Sequence, residues 1–129
     1  MANNSVYQKI STVSTYQASA AITADAFSGG TETTLDASTT QEWWAECYAV
    51  VTAAPSTAAI CELWHSVSSD TGSTYTAYEA ALRVEIPTAT GTYKLGRLLL
   101  SEYNKIKLKA INYGFTASLT AKKIIPEVE

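Results

Sequence analysis

Between Tyr103 and Pro126 polar and apolar residues alternate through two adjacent runs, and a period of two sustained over that length means strands with one buried face each. The first run is Asn104-Lys105-Ile106-Lys107-Leu108-Lys109-Ala110-Ile111. The second is Phe115-Thr116-Ala117-Ser118-Leu119-Thr120-Ala121-Lys122, and Asn112-Tyr113-Gly114 separates them. Their spacing predicts a hairpin. With Asn112 paired to Phe115, Ala110 faces Ala117, Leu108 faces Leu119 and Ile106 faces Ala121 on a core side. Lys105, Lys107, Lys109, Ser118, Thr120 and Lys122 then share the other side, expected to be solvated or set against an acidic neighbour. Nothing in the two runs is reactive.

The same grammar runs back along the chain. Thr31 to Leu35, Trp43 to Ala53, Ala58 to Val67, Tyr75 to Glu79, Leu82 to Ile86 and Tyr93 to Leu100 read as strands. Ala54-Pro55-Ser56-Thr57, Ser68 to Ser73 and Pro87 to Gly91 supply the turns between them. Eight or nine short strands with a turn about every ten residues predict an all-β, antiparallel β-sandwich, jelly-roll-like or alternatively immunoglobulin-like. The 129 residues, 47% of them hydrophobic, suit one core. Residues 1–30 differ: Ser, Thr, Ala and Gln dominate, anchors are scattered, and Ser28-Gly29-Gly30 closes the stretch. They read as an extended N-terminal arm with a first strand, and residues 31–129 as the sandwich domain.

A formal net charge of −3 gives no global basic field for nucleic acid or an anionic membrane. Apolar runs fall short of the ~20 residues of a membrane helix, and Met-Ala-Asn-Asn-Ser lacks the features of a secretory signal, so a soluble cytosolic chain is expected. Candidates for chemistry are few. His65 is the single histidine, and no Cys-x-x-Cys or His-x-x-x-His spacing offers a metal site, so neither metal nor cofactor is expected. A Cys–His nucleophile needs contact, yet Cys61 and His65 sit four apart in one predicted strand, roughly 13 Å at ~3.3 Å per residue. Cys47 beside His65 on a neighbouring strand remains open, with a plain buried cysteine as the alternative. Pairing Ala53 with Ala58 would point Cys47 and Cys61 to opposite faces, so two free thiols are expected. Glu42, Glu46, Glu62, Glu79 and Glu85 fall on separate elements and read as ordinary surface charge rather than a hydrolytic pair. Gly91 and Gly96 lack the Gly-Lys-Thr/Ser tail of a phosphate loop.

Two features suit binding instead. Trp43-Trp44 with Tyr48, Tyr75, Tyr78 and Tyr93 offers rings for a sugar, but neighbours in a strand point to opposite faces. One tryptophan therefore belongs to the core and the other to a rim or interface. The second feature is the polar arm, whose anchors Val6, Tyr7, Ile10, Val13 and Tyr16, with Trp44, are the expected partner-binding residues.

From Gly30 onward the order of signals resembles small β-sandwich proteins among the virion structural proteins of tailed bacteriophages. The strings are Thr34-Leu35-Asp36, Ser68-Ser69-Asp70-Thr71-Gly72-Ser73, Tyr93-Lys94-Leu95-Gly96-Arg97, Tyr103 to Ala110, Gly114 to Ala121 and Ile125-Pro126. The resemblance covers about three quarters of the chain and carries no catalytic signature. It implies a non-enzymatic capsid decoration (cement) protein, made in the host cytoplasm and resident in the virion. It further implies the major capsid protein or another virion protein as partner, and a homo-oligomer with a trimer favoured. The alternative is a carbohydrate- or receptor-binding module of a fibre or tail, with Trp44 or Tyr78 as the stacking ring.

Overall fold

The computed structural model describes residues 6–10, 13–28, 33–36, 43–68, 70–100 and 103–128. They form nine strands: β1 (Val6–Ile10), β2 (Ser14–Ile22), β3 (Thr33–Asp36), β4 (Trp43–Ala53), β5 (Ala59–Ser68), β6 (Glu79–Ile86), β7 (Gly91–Leu100), β8 (Tyr103–Ile111) and β9 (Phe115–Val128). There is no helix among the described residues. Two antiparallel sheets face each other, so the all-β sandwich is the architecture. Sheet A runs β1-β9-β4-β7, with β2 on the same edge of β9 as β1, and sheet B runs β3-β8-β5-β6.

The alternation in the closing runs places its apolar side chains as expected: Ile106, Leu108, Ala110, Ala117, Leu119 and Ala121 are all buried. The pairing differs from the hairpin. β8 bonds to β5 and β3, with Leu108 opposite Leu63, whereas β9 bonds to β4 and β2, with Leu119 opposite Ala49. Asn112-Tyr113-Gly114 is thus an arch that carries the chain from one sheet to the other. Two alternating runs bury the same residues whether they lie side by side or face to face, so the pattern fixed the faces without fixing the partner. Asn112 supplies the reversal with φ of 73°, a conformation asparagine tolerates better than most residues, and its N–H donates to Asp25 Oδ1 at 3.0 Å.

The same correction applies at Pro55. β4 and β5 lie in different sheets, so Cys47 and Cys61 both face the interior rather than opposite sides, and both are free thiols. Most of the core comes from four strands: Trp43, Ala45, Cys47, Ala49 and Val51 of β4, Phe115, Ala117, Leu119 and Ala121 of β9, Cys61 and Leu63 of β5, and Ile106, Leu108 and Ala110 of β8. Tyr75 to Tyr78 do not form the separate strand expected, but Thr76 N–H bonds the Val67 carbonyl at 2.9 Å and holds this segment beside β5.

Residues 6–22 give the sheet two strands where the sequence suggests one strand and an arm. β1 runs along Ile124–Val128 and β2 along Phe115–Ala121, both on β9. Ala26 and Ser28 then bond main chain to main chain with β8. The N-terminal stretch therefore covers one edge of sheet A and crosses to sheet B.

Candidate functional site

The outer face of sheet A gathers the exposed apolar side chains and a cluster of charge. Its construction begins in β4, where alternation sends Trp43 inward and Trp44 outward; Trp43 is 1% exposed and Trp44 40%. Glu46, Tyr48 and Val50 follow Trp44 on the outer side. In register with them, β7 sets Leu99 opposite Trp44 and Arg97 opposite Glu46, and β9 sets Lys122 opposite Glu46 and Thr120 opposite Tyr48.

Lys94 and Arg97 are three residues apart, and in a regular strand that spacing would put them on opposite faces. A bulge resolves this. Cys47 pairs with Gly96 and Tyr48 with Lys94, so Leu95 is the extra residue and the parity of β7 resets there. Gly96 takes φ of 137°, which side-chain-bearing residues rarely adopt, and a Cβ there would meet Leu82 Cδ2 at 3.1 Å. Glycine at this position is what brings both cations to one carboxylate.

At that carboxylate Arg97 Nε donates to Glu46 Oε2 at 3.0 Å, Lys94 Nζ stands 3.8 Å from the same oxygen, and the Tyr48 hydroxyl donates to Oε1. The tyrosine bond, helped by the two cations, holds Glu46 below its ordinary pKa against the opposing effect of burial. The same bond pushes the Tyr48 phenol up to about 12. Lys122 lies over the Tyr48 ring, 5.7 Å from its centre. Beside this cluster a shallow groove of about 310 Å³ is lined by Val13, Tyr48, Val50, Thr92, Thr120 and Lys122.

The lysines divide between the two sheets instead of sharing one side. Lys122 belongs to sheet A; Lys105, Lys107 and Lys109 stand on the outer face of sheet B and lie across aromatic rings. Lys105 covers Tyr75 at 4.2 Å, Lys107 is 3.9 Å from both Phe27 and Tyr78, and Lys109 is 5.1 Å from Phe27 and Trp64. Phe27 and Trp64 meet edge to face at 5.2 Å. Cation–π contacts hold these lysine heads over rings, and Lys109 also has an acidic neighbour within the chain, Glu62 standing directly across from it on β5. The Tyr78 ring is covered in the same way, which removes it as an open stacking platform.

The reactive candidates sit elsewhere. His65 Nε2 is 2.9 Å from Asn104 Oδ1, and the buried Asn104 donates to the Leu35 carbonyl at 3.3 Å, a polar bridge between β5, β8 and β3. Cys47 is in the other sheet from His65, so the two are not strand neighbours. Burial pushes both thiols up to about 12, far from a thiolate at neutral pH. Glu46 and Glu62 lie on the outer faces of opposite sheets, and Glu42 is outside the described residues. Asp70 accepts from Ser68 Oγ at 2.7 Å, from Thr74 N–H at 2.8 Å and from the Thr74 hydroxyl, and these bonds close the β5–β6 connection while lowering its pKa to about 2.

Of the partner-binding residues expected from sequence, Trp44 and Val13 both lie on the outer face of sheet A, on opposite sides of the Glu46 cluster, Val13 being half exposed at the groove. Tyr16 instead packs against the core, and burial raises its pKa. Val6, Tyr7 and Ile10 lie in β1 along β9, and their side chains are outside the described residues. Glu46, Lys94, Arg97 and Leu99 were missed. The one signal in the sequence was Gly96, an isolated glycine in a strand pattern and so a mark of a bulge. No protein-family model, curated protein or solved structure matches the chain.

Proposed function

We propose that this chain is a non-enzymatic structural protein of a tailed-phage virion, a capsid decoration protein that binds the major capsid protein lattice through the outer face of sheet A. One observation carries the reading. Of the four exposed large hydrophobic residues among the described ones, Val13, Trp44, Leu99 and Tyr113, three lie on that face. Concentration of apolar side chains around a polar cluster on one sheet is what a protein-binding surface requires. The strings that resemble virion β-sandwich proteins lend support, as does the order of the strands. Seven of the eight successive connections either pass between the sheets or join β1 to β2 on one strand's edge, and β5–β6 alone joins neighbours within a sheet. We read β2-β9-β4-β7 facing β3-β8-β5-β6 as a jelly roll, since an immunoglobulin-like order would place several successive pairs in one sheet. A homotrimer is the favoured assembly.

The test is co-sedimentation of the purified chain with undecorated capsids of the major capsid protein encoded beside it, alongside its mass in solution. Wild-type protein should pellet with capsids, and Trp44→Ala with Leu99→Ser should stay in the supernatant while keeping its far-ultraviolet spectrum. Equal pelleting of both proteins, or none by either, would dismiss this function.

A further inference from the structure

We infer that the outer face of sheet A recognises a protein segment that carries carboxylates beside an apolar or aromatic side chain. This rests on the structural-protein reading above and adds the chemistry of the partner.

Charge is layered on this face. The Glu46 side chain is 12% exposed, whereas those of Lys94 and Arg97 are 56% and 44% exposed. The carboxylate lies beneath and the cations stand above it. With Lys122 directly across from Glu46, three cations surround one carboxylate, an excess of two positive charges on a chain whose formal net charge is −3. The patch is thus opposite in sign to the molecule that bears it. A second copy using the same face would bring like charges together, which a symmetric contact cannot avoid. An acidic partner gains both approach rate and register.

Apolar surface flanks the charge on both sides. Trp44 and Leu99 are cross-strand partners and stand out from the sheet at one end of the cluster. At the other, the groove between Val13, Tyr48 and Val50 has the volume to take a side chain. Charge at the centre and apolar anchors at the flanks divide the work: the cations select and orient, and burial of Trp44 and of the inserted side chain supplies most of the affinity. A polyphosphate backbone fits less well, because it has no apolar side chain to set against Trp44 and Leu99 or into the groove beside Val13. Sheet B offers no equivalent, its lysines being laid across Phe27, Trp64, Tyr75 and Tyr78.

The probe is a random copolymer of glutamate and tyrosine, titrated into isotopically labelled full-length chain and followed by amide and indole shifts. Polyglutamate, polylysine and oligo-dT serve as comparisons. The copolymer should shift Trp44, Val13, Lys94 and Arg97, bind at least tenfold more tightly than polyglutamate or oligo-dT, and weaken as salt rises. Lys94→Glu with Arg97→Glu should reduce that affinity at least tenfold. Lys94→Gln, at the more exposed position, should weaken it in the same direction should the double variant unfold. Absence of binding, shifts centred on Lys105 to Lys109, indifference to both variants, or equal binding of oligo-dT at the same residues would each overturn the inference. Copolymer binding without capsid binding would sink the virion function and leave this recognition standing, and capsid binding indifferent to Lys94 and Arg97 would do the reverse.

Discussion

Trp43 and Trp44 are chemically identical neighbours that the strand divides between core and surface, so replacing each by alanine isolates the effect of position. Trp43 is 1% exposed, at the inner face of β4 opposite Leu100, with Lys123 Nζ 4.8 Å from its ring centre. Its removal forfeits transfer free energy and leaves a cavity closed by both sheets, which costs about 3–5 kcal/mol for a buried aromatic. That is about a fifth or more of the whole stability of an ordinary domain. Trp44, 40% exposed beside Leu99, keeps one side of its ring in water, and its removal leaves an open notch. Only a partial transfer contribution is lost there, about 1–2 kcal/mol. At about 2.1 cal/mol/K of unfolding entropy per residue, 129 residues convert these losses to roughly 11–18 °C for Trp43→Ala and 4–7 °C for Trp44→Ala. Thermal melts followed by far-ultraviolet circular dichroism, with urea titrations to check that the m-value is unchanged, read both numbers. Equal losses, or a larger loss at Trp44, would mean that β4 does not present these faces and would remove the basis for the proposed binding surface.

Other outcomes follow from other parts of the fold. Gly114→Ala would place a Cβ 2.6 Å from the Ile22 carbonyl oxygen, a main-chain atom that cannot swing away, so a loss of about 1–3 kcal/mol is expected in urea denaturation; a neutral result would mean the arch is looser than described. Glu46 has a lowered pKa when folded, so its ionised form stabilises the protein above its ordinary value of 4.5 and that contribution fades as pH falls below it. Glu46→Gln should therefore be less stable than wild type at pH 7, with the gap narrowing as pH falls below 4.5; a gap independent of pH would refute the ion cluster. Cys47 and Cys61 should resist thiol reagents in the native state and react only on unfolding, and rapid labelling of either without denaturant would contradict their burial.

How far the sequence alone leads can be judged at β8 and β9. The alternating letters located both strands and named the six inward residues, because burial of one face is a local consequence of the strand's period. They did not say that the strands lie in different sheets, since pairing is decided by which apolar face each strand meets across the core. Trp44 was legible for the same local reason as Ile106 and Leu108. The cluster at Glu46 was not, because it needs Arg97 from a strand fifty-one residues later, and it needs the bulge at Gly96 to bring Lys94 to the same side. The rings over the lysines of β8 were not legible for a related reason: they come from Phe27 and from the connection holding Tyr75 and Tyr78, both remote in sequence.

The chain's habit of leaving one sheet for the other at nearly every turn also sets a tempo. Local pieces gain little by forming early, because β8 waits for β5 and β9 waits for β4, and each pairing must first close a long loop. A fold of such non-local pairings is expected to form on the order of milliseconds to seconds rather than microseconds. Because β2 and β9 are bonded side by side, a nascent chain cannot complete sheet A until it has been synthesised through β9. Until β9 is in place, Glu46 and Tyr48 on β4 lack the neighbours Lys122 and Thr120, so the outer face of sheet A is the last part of the sandwich to take shape.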